Sequence, residues 1–284
     1  MSARRGVCGR RMHLLVRRGG AHAALATLAF LSLGPFLFML LTSLKSNEQY
    51  YHGGLFSFPL QWSNYAEAWA QVSGYFVNSV TVTLVSVVIS VAFAALAAYA
   101  FARWRFLGSG LLYGAILAVL LVPGTLTLVP GFVLLKNLGL MGTHRALYAV
   151  YIADSVALGI VILRAFFAGV PEELVEAAAL DGAGEVQTIR RVVTPLARPA
   201  LLTVAIMTTL SCWNDYLWPL IVLPDQRKWT VTLGLVSFRD RFAGMSAWGP
   251  LFAGFVIASV PLFLLFFAFM RQFLSGLTTG AVKA

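Results

Sequence analysis

Long apolar stretches separated by short polar connections set the pattern of this chain. Six segments hold about 20 or more mostly apolar residues, the length a helix needs to cross a bilayer. They run roughly 22–44, 76–102, 107–135, 146–168, 197–223 and 248–273. The second carries Val80, Val82, Leu84, Val85, Val87, Val88 and Ile89, a run that by itself could be a buried strand. Its length decides for a spanning helix. The pattern predicts an all-α, polytopic membrane protein with six transmembrane helices.

Two spans carry helix breakers. The third holds Val122-Pro123-Gly124 and then Pro130, and the fifth ends in Trp218-Pro219. Proline removes a backbone donor, so both spans are expected to kink or unwind there. The freed carbonyls must face protein or a water-filled path. A simple packing kink and a solute-lining element both fit this pattern.

Composition points the same way. The 284 residues are 59% hydrophobic and 11% charged, against about 25% charged in an average soluble domain. The stretch Ala23–Leu44 has no charge and exceeds the roughly 7–15 residues of a signal-peptide apolar region, so an uncleaved first span is expected. The net charge is +10. Arg4, Arg5, Arg10, Arg11, Arg17 and Arg18 read as a topology signal and a contact for anionic membrane lipid. Nucleic-acid binding is not expected, because no basic face interleaved with aromatics follows them.

Six spans place both termini on one side. That side holds 14 of the 21 Lys and Arg residues, including Arg103, Arg105, Arg164, Arg190, Arg191, Arg198, Arg271 and Lys283. The bias places the N- and C-termini in the cytoplasm. The expected division is a basic arm at 1–21 and a transmembrane domain at 22–284. Within that domain fall a cytoplasmic loop at about 170–195 and a cytoplasmic tail at 274–284. The first outer loop is aromatic, with Tyr50, Tyr51, Phe56, Phe58, Trp62, Tyr65 and Trp69. Such a loop marks either the membrane interface or a docking surface for an external partner.

Little here suggests catalysis. His13, His22, His52 and His144 are scattered, Cys8 and Cys212 fall in different predicted compartments, and no metal site is expected. No Ser-His pair or carboxylate pair converges, so no catalytic residue is assigned. A Walker A motif needs Gly-Lys-Ser or Gly-Lys-Thr, and none of Lys45, Lys136, Lys228 and Lys283 follows a glycine. Energy for any transport must come from a partner or an ion gradient, and no cofactor is expected in this chain.

Among the polar residues within the predicted spans, Asp154 in the fourth and Asn214 and Asp215 in the fifth stand out. A charge at membrane depth costs about 2.5–3.5 kcal/mol on insertion scales, so it faces the protein interior or water. These residues are candidates for a translocation path, and Asp154 also for a proton or ion site. The alternative is an internal hydrogen-bond or salt-bridge role, which the flanking Trp213 and Trp218 favour for Asn214 and Asp215.

The most informative stretch is cytoplasmic and reads from Val170 to Glu185. Pro171 suits the first helical position, Glu172 and Glu173 complement the positive end of the dipole, and the alanines favour helix. Gly182 and Gly184 break it. A short acidic helix is a poor ligand for anionic lipid, and its small residues allow close approach to a groove on a partner. A solvated connector is the competing reading.

Glu176-Ala177-Ala178, Asp181-Gly182-Ala183, Val192, Pro195-Leu196 and Pro199-Ala200 together resemble the EAA loop of binding-protein-dependent ABC importer permeases. Thr194 stands where the usual pattern has leucine. Asn78-Ser79, the run Ala98–Arg103, the run Trp213–Leu220 and the C-terminal Gly276–Lys283 are similar to the maltose-type sugar permeases, in particular the G subunit. The resemblance implies the type I ABC importer permease fold and a bacterial inner-membrane location. It also implies a second permease, two ATP-binding-cassette ATPases that carry ATP and Mg, an external solute-binding protein and a carbohydrate-type solute. Glu176, Ala177, Ala178, Asp181 and Gly182 would couple to the ATPase, and Gly280 and Lys283 would contact it from the tail. A gradient-driven secondary transporter, using Asp154 and Asp215, is the alternative.

Overall fold

The computed structural model describes residues 3–244 and 247–281, with side chains described except at 3–20, 23, 240–244 and 271–281. All the regular structure among these residues is helical. The chain divides into two compact units, Met1–Trp69 with Arg239–Ile257, and Ala70–Phe238 with Ala258–Ala284.

The first unit holds α1 (Ala3–Ser43) and α2 (Asn47–His52). Helix α2 opens on a capping box, in which Ser46 Oγ accepts from the Gln49 amide and Gln49 Oε1 accepts from the Ser46 amide. Helix α3 (Ser63–Arg103) begins here, 13 residues before the expected start of the second span. Asn64 Nδ2 donates to the carbonyls of Ser43 and Lys45 at 2.9 Å each and so satisfies the open end of α1. The loop aromatics divide. Tyr50 stacks on Trp248 at 5.2 Å and Tyr65 Oη pairs with Ser43 Oγ, whereas Phe56, Phe58 and Trp62 are exposed.

The second unit continues with α4 (Ser109–Leu120), a 3₁₀ turn at Gly124–Thr127, α5 (Leu128–Asn137) and α6 (His144–Ala168). Then come α7 (Glu172–Leu180), α8 (Glu185–Thr188), a π turn at Ile189–Val193, α9 (Thr194–Leu196), α10 (Arg198–Asn214) and α11 (Leu217–Val222). A 3₁₀ turn at Gln226–Lys228 leads to α12 (Val231–Gly244) and α13 (Trp248–Ala281).

Four helices are long and apolar enough to cross a bilayer, within α1, α3, α6 and α13. Two more spans are broken. The pair α4 and 124–137 bends by 96°, and the pair 185–196 and α10 by 81°. Counting each bent pair once gives the six spans expected. The break in the third falls at Val122-Pro123-Gly124, as proline and glycine dictate. Pro130 breaks nothing, because it is the third residue of α5, where its amide would have no helical partner.

The fifth span corrects the expectation. Besides the 81° bend at Ala197, its helix stops at Asn214 and restarts at Leu217, so the second interruption lies at Asp215-Tyr216 and not at Trp218-Pro219. Pro219 is the third residue of α11 and again sits where a missing amide is harmless. Trp218 is buried against α5, and a Cβ on Gly131 would meet its ring at 2.6 Å. Glycine is needed there for the indole to fit.

Tight packing holds α3, α6 and α10 together. Ala94, Ala98, Leu163, Phe167, Ala200 and Val204 form one buried cluster. At its centre a Cβ on Gly159 would lie 2.7 Å from the Ala94 Cβ and 3.1 Å from Val204 Cγ1. Small residues let helices approach closely where lipid offers no hydrophobic drive for association.

Candidate functional site

Helix α7 is the short acidic helix expected between the fourth and fifth spans, with Glu172 and Glu173 in its first turn. Its end is set by Gly182, which adopts φ +79° and receives the chain in the left-handed region. The Ala183 amide donates to the Ala178 carbonyl at 2.9 Å and the Gly182 amide to Ala179 at 3.0 Å, so the terminal carbonyls are paired. Glu176, Ala177 and Asp181 are exposed, and Ala178 is half-buried. Leu174, Leu180 and, beyond the bend, Val186 are also exposed. The loop therefore leaves carboxylates, small residues and leucines exposed together, while Val175 packs against the buried cluster.

Both ends of this loop are fixed to the end of α3. Arg103 Nη2 donates to the Val170 carbonyl at 2.6 Å, just before α7. Trp104 Nε1 donates to Glu185 Oε1 at 3.0 Å, just after the bend. Sequence reading missed this pair of tethers. Its only trace is the exit of the apolar α3 into Arg103-Trp104, and the partners lie 67 and 81 residues on.

The π turn that follows changes the helical register, and it places Thr188, Val193 and Ala197 in the interior. Arg190, Arg191 and Arg198 are left exposed as the chain enters α10.

Helices α6 and α10 share a cavity of mixed lining, in which Leu158, Ile162 and Val204 lie beside polar residues. Asp154 and Ser155 of α6, with Thr208 and Ser211 of α10, line this cavity of about 200 Å³, which also touches Gly159 and Met207. Asp154 and Ser211 are exposed in the chain alone. Tyr151 Oη donates to Asp215 Oδ2 at 2.7 Å, while Asp215 Oδ1 accepts from the Leu217 amide at 3.0 Å. Asp215 thus holds the first residue of α11 in an Asx-type turn and ties it to α6. Asn214 Nδ2 donates back to the Leu210 carbonyl at 2.9 Å and the residue is exposed. Asp154, Asn214 and Asp215 are thereby brought to one region of the second unit, whereas Glu176, Asp181 and Gly182 lie in the 170–185 loop. Gly280 belongs to the last turn of α13, and the tail contact through Lys283 lies outside the described residues.

Among the described residues, no group of three or more His, Cys, Asp and Glu could hold a metal ion. Cys212 is a buried free thiol.

Residues 90–278 match the family described as binding-protein-dependent transport system inner membrane component. The chain belongs to that family. The match covers α7 and the whole of the cavity lining on α6 and α10. Among curated relatives, this permease is 34% identical to the diacetylchitobiose uptake system permease protein NgcG of Streptomyces coelicolor, over 93% of this chain and 88% of the relative. It is 33% identical to the trehalose transport system permease protein SugB of Mycobacterium tuberculosis, over 94% and 98% of the two chains. The trehalose/maltose transport system permease protein MalG of Thermococcus litoralis is 29% identical over 90% and 93%. Among solved structures, a bacterial ABC transporter involved in the import of the acidic polysaccharide alginate superposes with a TM-score of 0.79. It covers 93% of this chain and 97% of that one, and at 22% identity the likeness establishes the fold alone. The permease is a multi-pass membrane protein with the type I ABC importer fold.

Proposed function

We propose that this permease forms half of the translocation path for a carbohydrate-type solute delivered by an external binding protein. A second permease subunit supplies the other half, and two ATP-binding-cassette ATPases, which carry ATP and Mg, supply the energy. The solute class rests on the relatives, whose names specify diacetylchitobiose, trehalose and maltose. The absence of any Gly-Lys-Ser or Gly-Lys-Thr assigns hydrolysis to the partner subunits. The Lys and Arg bias supports a cytoplasmic side for both termini, with the basic arm at the inner leaflet.

One observation carries the coupling role. Helix α7 leaves Glu176 and Asp181 exposed, yet its loop is tethered at both ends by Arg103 and Trp104. A solvated connector needs no such mounting. A short rigid helix seated in a cleft of an ATPase does, because it must pass on displacement without bending. Glu176 anchors it, Ala177 and Ala178 allow close approach, and Gly182 makes the turn. Gly280 and Lys283 add a tail contact with the ATPase.

The cavity face of α6 and α10 supplies the path. An exposed carboxylate at membrane depth cannot face hydrocarbon, so it faces water or the partner permease.

The experiment is co-purification in gentle detergent of the wild-type chain and of Glu176→Lys, with mass spectrometry and solute-stimulated ATP hydrolysis. Wild type should bring down a P-loop ATPase and a second permease. Glu176→Lys should insert normally and lose coupled hydrolysis. Gradient-driven uptake by the chain alone, without partners, would overturn the reading.

A further inference from the structure

Charge at membrane depth is confined to two positions in this chain, and both are negative. The segments 22–44, 76–102, 107–135 and 248–270 contain no Lys, Arg, Asp or Glu. Between Arg145 and Arg164 of α6 the only charged side chain is Asp154, and between Arg198 and Asp225 it is Asp215. Asp215 is turned inward onto Tyr151 and the Leu217 amide. Asp154 is exposed, on the wall of the cavity with Ser155, Thr208 and Ser211.

Two cations share the helix with Asp154. Arg145 lies nine residues before it, about two and a half turns away and so on the opposite side of the helix, and is exposed. Arg164 lies ten residues after Asp154, about 15 Å along the helix. Its Nε donates to the Phe101 carbonyl at 3.3 Å and its guanidinium lies 4.2 Å from the Tyr113 ring centroid. On the described side of the path, then, the cavity wall carries Ser155, Thr208, Ser211 and one carboxylate among apolar Leu158, Ile162 and Val204, and no cation lines it. In a low-dielectric wall, a fixed charge of this kind selects by sign.

We infer that Asp154 is a charge filter, so that this path admits neutral and positively charged saccharides and disfavours uronates and sugar phosphates. The inference rests on reading the face of α6 and α10 as the path. Ser155 and Ser211 donate to or accept from saccharide hydroxyls whatever their charge, and Asp154 decides among solutes of similar shape.

The test uses the complete importer in native-lipid vesicles, with Cys8→Ala and Cys212→Ala as background and Ser211→Cys as reporter. Two methanethiosulfonates of similar size, one cationic and one anionic, are timed during turnover. Their rates are normalised to those with a small thiol in solution. The cationic reagent should be favoured by about threefold to tenfold, the size expected of one partly screened charge a few ångströms away. Asp154→Asn should return the ratio to its solution value. Equal normalised rates, or a preference that survives Asp154→Asn, would overturn the filter while leaving the permease role intact. Modification by neither reagent would show that Ser211 does not line a water path, which removes the premise. Ser155→Cys gives the same readout from α6, and retained ATP hydrolysis reports that each variant folds and assembles.

Discussion

Arg103 Nη2 donates to the carbonyl of Val170 at 2.6 Å, and this single bond fixes the entry of α7 to the end of α3. The donor is charged and partly buried, so the bond is of the stronger kind, worth about 1.5–3 kcal/mol. Removing it should free the loop without unfolding the spans. Arg103→Ala is expected to raise amide hydrogen exchange across residues 171–184 and to lower the ratio of solute moved to ATP hydrolysed. Unchanged exchange there would remove Arg103 from the mounting.

The second tether allows a comparison. Trp104 and Glu185 are both exposed, and their bond is 3.0 Å. Its loss should matter less than that of Arg103, by roughly 1 kcal/mol or under. Trp104→Phe should change coupling modestly, and Arg103→Ala with Trp104→Phe should exceed the sum of the two if they act as one clamp.

Gly182 tests the bend. Its φ of +79° is the left-handed region, and no atom lies within 4 Å of where a Cβ would stand. Backbone conformation alone then sets the cost of Gly182→Ala, about 1–2 kcal/mol. The expected result is weaker coupling with little change in the amount of protein in the membrane, read by quantitative immunoblot beside transport.

Gly159 tests the packing. The same substitution there meets the Ala94 Cβ at 2.7 Å and Val204 Cγ1 at 3.1 Å. Overpacking of this kind costs about 1–3 kcal/mol. Gly159→Ala should lower the melting temperature in detergent, and Gly159→Leu should abolish recovery of folded protein. Tolerance of leucine would mean that α3, α6 and α10 are less closely packed than described.

Tyr151→Phe removes the 2.7 Å bond to Asp215 and keeps the ring. Hydrogen bonds between membrane helices average about 0.6 kcal/mol and reach about 1.7. A small loss of thermal stability is expected, because Asp215 keeps its bond to the Leu217 amide. A large loss would show that α11 depends on Tyr151 for its position.

Much of this was legible in the chain itself. Spans were visible because a helix that crosses lipid must be apolar for about 20 residues, and no other signal has that length. Helix α7 was visible because Pro171, the alanines and Gly182 each state a local preference, and those preferences agree. The break at Pro123 follows from the same local chemistry. What escaped was tertiary. Asp215-Tyr216 contains neither proline nor glycine, and what marks the break is that the Asp215 carboxylate is engaged both by the Leu217 amide and by a tyrosine 64 residues away. The two tethers are pairings of common residues across 67 and 81 positions, and no periodicity marks them. Pro219 misled because a proline reads as a breaker until its position within a helix is known.

The mounting of α7 has a mechanical consequence. By covalent chain the loop is continuous with α6 on one side and α10 on the other. Through Arg103 and Trp104 it is also yoked to α3. A push on α7 therefore divides among three spans at once, two through backbone and one through side chains, and the side-chain branch is the one that can slip. In the proposed coupling role, the same helix would act as a stiff lever under small loads and let α3 go under large ones.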